Sequence, residues 1–398
     1  MQGSAPTRAA PTGIPSLEDA SAFIRRLRRW SFGILLPFFT EKGVAESGAF
    51  VEEFDLTQRP LPAAAIHTRV QARMVYVFAH AANMLNEPRY AEIAHSGFEK
   101  TARTLWNRRE GGWIHAASAH GDVLDVRCDA YDQAFPLLAL AHLRRLGMTD
   151  ADIWIERSLE ALDRRLVDAR HGGYFEEAPR EPSRHLLRRQ NPHMHLLEAF
   201  LALEEAGWTG NARERATHIV DLFSALAERD GAIGEYFSED WSTPPPDKDT
   251  RQPGHQFEWA WLLDNYARGK GGSSALANRL ASFAWRNGIE RDPAHPHALF
   301  EEVAPDGKLI TPSKLLWPQT EAVRYYARRA RLGDREAEAR ANRLAETILS
   351  SFVMSGGPLW HNQIDRNGKP LARSVPSRVL YHIVACAADA TIAQGGTT

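Results

Sequence analysis

Residues 90–143 read YAEIAHSGFEKTARTLWNRREGGWIHAASAHGDVLDVRCDAYDQAFPLLALAHL. Up to Trp106 the apolar residues recur at helical spacing with polar residues between them, the pattern of a helix with one buried face. Gly111-Gly112-Trp113 interrupts that pattern and opens a polar loop. From Tyr131 onward the stretch is apolar on most sides, so it must be buried on most sides. The unit is an outer amphipathic helix, a glycine-aromatic loop and an inner buried helix.

The unit recurs along the chain. Glycine followed by an aromatic or apolar residue returns as SGAF (47–50), GGWI (111–114), GGYF (172–175), GAIGEYF (231–237), NGIE (287–290) and GGPLW (356–360), roughly sixty residues apart. The inner stretches are VQARMVYVFAHAANML, YDQAFPLLALAHL, HMHLLEAFLAL, HQFEWAWLLDNYA, TEAVRYYARRA and RVLYHIVACAADA. Six helical hairpins bury their faces continuously only as an array, and six closing into a ring form an (α/α)6 barrel. The expectation is an all-α fold, with β pieces confined to the loops. Because every loop precedes an inner helix, all six inner-helix starts should lie at one mouth, where converging elements favour a ligand site.

Bulk composition narrows the function classes. The chain has 398 residues, is 43% hydrophobic and 25% charged, and carries a net charge of −2. No basic block suggests nucleic acid, and FGILLPFF (32–39) is too short to span a bilayer. The Ala/Pro/Gly-rich start lacks an apolar leader core, so residues 1–16 read as a disordered tail and 17–398 as one catalytic domain. Cys128 and Cys386 form neither a disulfide framework nor a CxxC pair, which fits a cytoplasmic protein. A monomer or homodimer with a monosaccharide substrate is expected, with no nucleic-acid or membrane partner.

The inner-helix starts are conspicuously polar: Arg69 and Arg73; Asp129, Tyr131 and Asp132; Asn191, His193, His195 and Glu198; His255 and Glu258; Trp317, Gln319 and Glu321; Arg378, Tyr381 and His382. Singly, each has an ordinary structural explanation, as a core histidine, a cap or an ion-pair partner. Their recurrence at equivalent points of independent repeats argues for a joint site. In RQNPHMHLLEAFLAL (189–203) the two histidines are i and i+2, on opposite sides of a helix, which disfavours a two-histidine metal clip. Asn191 reads as an N-cap with Pro192 at the first helical position, and Asn191, His195 and Glu198 share a face. Histidines titrating near neutrality can exchange protons as base and acid. Arg73 can stabilise a developing oxyanion, and Trp317, Trp113 or Trp360 could stack on a sugar.

QAR (71–73), NPHMHLLEA (191–199), PGHQFEW (253–259), LWPQTEA (316–322) and the Tyr381-His382 pair resemble the N-acylglucosamine 2-epimerase superfamily, in its D-mannose and sulfoquinovose isomerase branch. The resemblance spans roughly residues 17 to 393 and implies an (α/α)6 barrel acting on sugars without cofactor or metal. It implies His255 and His382 as the catalytic acid/base pair. Arg73, Asn191, His195, Glu258, Trp317 and Glu321 are implied as substrate-binding or histidine-holding residues. His193 falls outside the set that the resemblance requires. The implied reaction interconverts D-mannose and D-fructose, or related sugars such as D-lyxose, through a cis-enediol.

Five other readings share these residues: a sugar 2-epimerase of N-acylglucosamine or cellobiose/mannose type, a sulfoquinovose isomerase, a two-carboxylate glycoside hydrolase or lyase using residues such as Asp129 and Glu321, a metal-dependent isomerase, and a non-catalytic binding protein. Residues 231–254, and 288–316 with His295, His297 and Glu301, are expected to shape specificity as loops over the mouth.

Overall fold

The computed structural model describes residues 22–179, 186–268 and 274–390. The expected tail, residues 1–16, lies outside the described residues. Helix α1 (Ala22–Trp30) continues through a π-helical turn (Ser31–Leu35) into α2 (Leu36–Lys42), and together they make the first outer helix. Inner and outer helices then alternate: α3 (Thr68–Leu85), α4 (Pro88–Leu105), α5 (Ala130–Arg145), α6 (Ala151–Leu166), α7 (Gln190–Glu205) and α8 (Ala212–Asp230). There follow α9 (Pro253–Arg268), α10 (Ala275–Asn287), α11 (Leu316–Arg331), α12 (Arg335–Thr347) and α13 (Leu380–Asp389). A 3-10 turn (Ser377–Val379) leads into α13.

Each odd-numbered helix from α3 to α13 packs on the next, and α13 packs back on α3, so the six inner helices close into a ring. Their apolar positions are buried almost without exception, as the all-round hydrophobicity requires. Outer helices keep one buried stripe, as Tyr90, Ala94, Phe98, Ala102 and Leu105 show in α4.

The loops close the same ring at the mouth. The segment entering each inner helix pairs antiparallel with a loop of the next unit. Ile66–His67 pairs with Ala116–Ala117, Cys128–Asp129 with Glu177–Ala178, and Arg188–Arg189 with Tyr236–Phe237. Arg251 bridges Val303, and Lys314–Leu315 pairs with Gln363–Ile364. Ser374–Pro376 of the sixth unit then pairs with Glu53–Asp55 of the first. These strands are the short loop pieces expected, and the last pair seals the circle.

A second repeated device ties each inner helix to its own loop. The fourth helical residue is glutamine in four units: Gln71 bonds the backbone N–H and C=O of Phe50, and Gln133 those of Trp113. Gln256 does the same for Ile233, and Gln319 for Leu299. In α7 that place belongs to His193, whose Nε2 accepts from the Tyr174 N–H while Nδ1 meets the Arg189 carbonyl. His193 is therefore a fastening, consistent with its exclusion from the expected site. Gly173 beside it must be glycine: its φ is +71°, and a Cβ there would lie 2.7 Å from the His193 ring.

Three local expectations need correction. Helix α7 begins at Gln190 with Arg189 as its cap, so Asn191 is already helical and Pro192 is the third residue. The cause is a backbone bond from the Gln190 N–H to the Glu235 carbonyl, which fixes the first turn two residues early. In the fifth unit the glycine of NGIE lies on the opposite arm of the bridge. Ile289 pairs with Leu299, whereas Val44, Trp106, Val167 and Val353 pair with Phe50, Trp113, Tyr174 and Trp360. Trp113 and Trp360 are fully buried, against Phe98 and Phe39 respectively, and belong to the core.

Candidate active site

Counting from the first residue of each inner helix, and from Ser377 in the sixth, sorts the axial side chains into layers. Second residues are Arg69, Tyr131, Asn191, Gly254, Trp317 and Arg378. Sixth residues are Arg73, Phe135, His195, Glu258, Glu321 and His382, and ninth residues are Tyr76, Leu138, Glu198, Trp261, Arg324 and Ala385. Steps of four and three keep one helical face, so all three layers face the barrel axis.

A cavity of about 290 Å³ opens at the mouth. Eight expected residues line it or its floor: Arg73, Asn191, His195, His255, Glu258, Trp317 and His382 line it directly, and Glu321 lies beneath His382. A larger groove of about 1040 Å³ runs outside the barrel between α4 and α6, lined by residues such as Phe98, Trp106, Trp154 and Arg157, and none of His195, His255 and His382 reaches it. A further chamber of about 300 Å³ lies at the opposite end, where Arg145, Arg268 and Arg328 complement the helix C-termini.

Each cavity histidine is oriented through Nδ1. His255 Nδ1 lies 2.8 Å from Glu235, His382 Nδ1 lies 2.7 Å from Glu321, and His195 Nδ1 lies 3.3 Å from Glu198. This fixes the ring and leaves Nε2 for a ligand. Trp317 lies against the first two with its ring tilted to both, its centre 4.7 Å from that of His255 and 5.4 Å from that of His382. Gly254 makes room for this indole, since a Cβ there would come within 2.8 Å of it. Burial and the Arg73 charge hold His382 neutral, well below its ordinary pKa. Burial likewise lowers His195 to about 4, despite its bond to Glu198. Both are free bases near neutrality.

The floor is a buried charge network. Arg324 bonds Glu321 and Asp389 at 2.9 Å each and approaches Glu198 at 3.8 Å. Glu198 also accepts from the Tyr381 hydroxyl. Burial opposes its charge, but the bond to His195, Arg324 and Tyr381 keep it ionised, with a pKa of about 2. Arg73 has no carboxylate partner among the described residues. It donates to the Tyr131 hydroxyl at 2.7 Å and lies over the Phe135 ring at 4.1 Å. The guanidinium is thus held by neutral groups, with its charge left for a ligand.

Sequence reading missed Glu235, Arg189, Tyr236, Gln252 and Asn362, all lining the cavity. Glu235 had a signal, because Glu52 and Glu176 stand at the same loop position. All three accept from the backbone N–H just ahead of the inner helix, at Gln252, His67 and Arg189 respectively. In the second unit the partners are exchanged: the loop supplies His115 and the helix Asp132, 2.6 Å apart. Asp132 and Asp129 are accounted for in this way and as an N-cap, and neither lines the cavity. Arg69 stands at the second position but also does not line the cavity. The expected loop 231–254 contributes Glu235, Tyr236 and Gln252, while His295, His297 and Glu301 point elsewhere.

Among the described residues two sets could offer metal ligands: His195, Glu198 and Glu258, and Glu258, Glu321 and His382, their donor atoms within 4.8 Å of one another. Arg324 already supplies cationic charge to Glu198 and Glu321, leaving Glu258 as the member without a counter-ion. Among the described residues no helix is long and apolar enough to cross a membrane.

The ring of helices and its enclosed polar mouth define the class: a helical toroid with its site at the inner-helix N-termini. The sequence pattern described as N-acylglucosamine 2-epimerase (GlcNAc 2-epimerase) matches residues 48–386. The chain is 33% identical to a mannose-6-phosphate isomerase of Rhizobium meliloti (strain 1021), over 90% of this chain and 94% of that one. It is 28% identical to a D-mannose isomerase of Thermobifida fusca, over 77% and 79% respectively. A solved D-mannose isomerase structure superposes with a TM-score of 0.84 at 20% identity, covering 95% of this chain and 99% of its own. The chain belongs to the N-acylglucosamine 2-epimerase family, whose members are sugar isomerases and epimerases.

Proposed function

We propose that the protein is an aldose-ketose isomerase interconverting D-mannose and D-fructose by histidine acid/base chemistry through a cis-enediol, with no metal or other cofactor. The carrying observation is that His255 and His382 come from different inner helices, each with Nδ1 on a buried carboxylate, and flank one small cavity under Trp317. A neutral His382 can take the C2 proton of the open-chain sugar and return it to C1. His195 accepts a hydroxyl proton during ring opening, and Arg73 faces the oxygen on which charge develops. Asn191 and Asn362 offer buried Oδ1 atoms, without a partner among the described residues, to sugar hydroxyls. At about 290 Å³ the cavity sits at the small end of ligand pockets, which suits one sugar ring better than a disaccharide.

Incubation with D-mannose, D-glucose, D-fructose and N-acetylmannosamine in D2O, followed by NMR, tests the reading. Fructose formed from mannose with deuterium incorporated, undiminished by EDTA, is expected. Turnover of none of the four, or loss on chelation, overturns it. His255→Asn and His382→Asn should each lower exchange by about 10²- to 10⁴-fold.

A second reading, a sugar 6-phosphate as substrate, is favoured by one observation. Arg378 lines the mouth, exposed and without an ion-pair partner among the described residues. The Rhizobium relative carries a phosphosugar name. Mannose 6-phosphate turned over faster than mannose, with the preference lost in Arg378→Gln, would select this reading.

A further inference from the structure

Glu258 is the ionisable member of the sixth-position layer that the buried charge network leaves unpaired. It is 1% exposed, and neither carboxyl oxygen has a hydrogen-bond partner. A buried carboxylate without partners would leave its desolvation uncompensated. Its surroundings add to that cost. Glu321 and Glu198 repel a charge there, and Arg324 is already engaged with both of them. Arg73 lies on the opposite side, fixed to Tyr131. The remaining neighbours, His195 and His382, are neutral, and Tyr381 is occupied with Glu198. Yet Glu258 faces the cavity, with a carboxyl oxygen within 4.8 Å of a ring nitrogen of both His195 and His382.

We propose that Glu258 stands in the resting enzyme as a neutral carboxylic acid and serves as the proton shuttle between the two sugar oxygens of the reaction. The proposal rests on the isomerase reading above. As His382 removes the C2 proton, the C2–H electron pair becomes the C1–C2 double bond. The carbonyl π pair moves to O1, which takes the proton of Glu258. The result is the enediol, an imidazolium and a carboxylate. In the second half the imidazolium returns its proton to C1, the C2–O bond becomes a carbonyl, and the O2 proton passes to Glu258. Both groups end as they began. A cis-enediol holds O1 and O2 on the same side, so a single carboxyl can serve both. Burial and the two flanking carboxylates push the Glu258 carboxyl well above the usual carboxylate range, in keeping with this state.

The test has a spectroscopic and a kinetic arm. The infrared difference spectrum of wild type minus E258Q, taken at pH 7 without sugar, should show a protonated-carboxyl C=O band. Carboxylate bands in its place overturn the proposal, and so does a difference spectrum altered by chelators, which would make Glu258 a metal ligand. In E258Q, whose amide can donate a hydrogen bond but cannot deliver a proton, kcat should fall by about 10²-fold or more while KM stays within a few-fold. Retained kcat overturns the shuttle. The acid band in a wild type that turns over no sugar would sink the isomerase reading and leave the neutral carboxyl standing.

Discussion

Glu321 is bonded to His382 through one oxygen, at 2.7 Å, and to Arg324 through the other, at 2.9 Å. It lies four residues past Trp317, whose indole packs at a tilt against the same histidine, so adjacent turns of α11 set both the tautomer and the tilt of the ring.

Replacing Glu321 with Gln should therefore damage chemistry more than binding. The amide can offer N–H to Nδ1, which moves the ring proton to Nε2 and removes the base. A fall in kcat of about 10²-fold or more, with KM changed only a few-fold, is expected from steady-state kinetics. Equal losses in kcat and in thermal stability would mean that Glu321 only supports the fold.

His193→Gln copies the residue that four other units use at this place. Burial lowers the His193 pKa to about 3, while the unfolded chain titrates near 6.5. Between those values the unfolded state binds a proton that the folded state refuses, so this residue costs stability as pH falls. The variant should gain on wild type by up to about 1.4 kcal/mol per pH unit below 6.5. Urea unfolding at pH 7 and pH 5 checks it, and parallel pH profiles would refute it.

Gly254→Ala tests the fit at the mouth. The new methyl would meet Pro318 at 2.7 Å and the Trp317 ring at 2.8 Å, and both belong to the rigid first turn of α11. The indole must shift off His255, and kcat/KM should drop by at least tenfold, because small displacements of positioning groups cost catalysis steeply. Unchanged kinetics would show that Trp317 has slack.

The architecture was legible because apolar periodicity and a repeated glycine signal need only the chain itself. The six units, the alternation of inner and outer helices and the common mouth all follow from that pattern. Within the site, His195, Glu258, Glu321 and His382 were visible as recurrent polar residues on apolar helices. Glu235 was not, because its meeting with His255 depends on a loop returning across twenty residues. Aligning the units would have found it beside Glu52 and Glu176, and would have matched His193 with the glutamines. The start of α7 was misplaced because the deciding bond comes from the Glu235 carbonyl, outside any local capping signal. Arg189, Tyr236 and Asn362 stand at positions that recur in other units, but their residue types do not recur there, so only coordinates place them in the cavity.

The pairing of Ser374–Pro376 with Glu53–Asp55 has the same antiparallel form as the other seams, and Arg28 reaches from α1 to the carbonyl of Ala387 at the end of α13. The junction between the last unit and the first is therefore structurally equivalent to a junction inside the chain. The polypeptide has a beginning, but the ring has none. A circular permutant whose old ends are joined by a linker and whose new ends open at the exposed Gly207–Gly210 turn should close the same toroid.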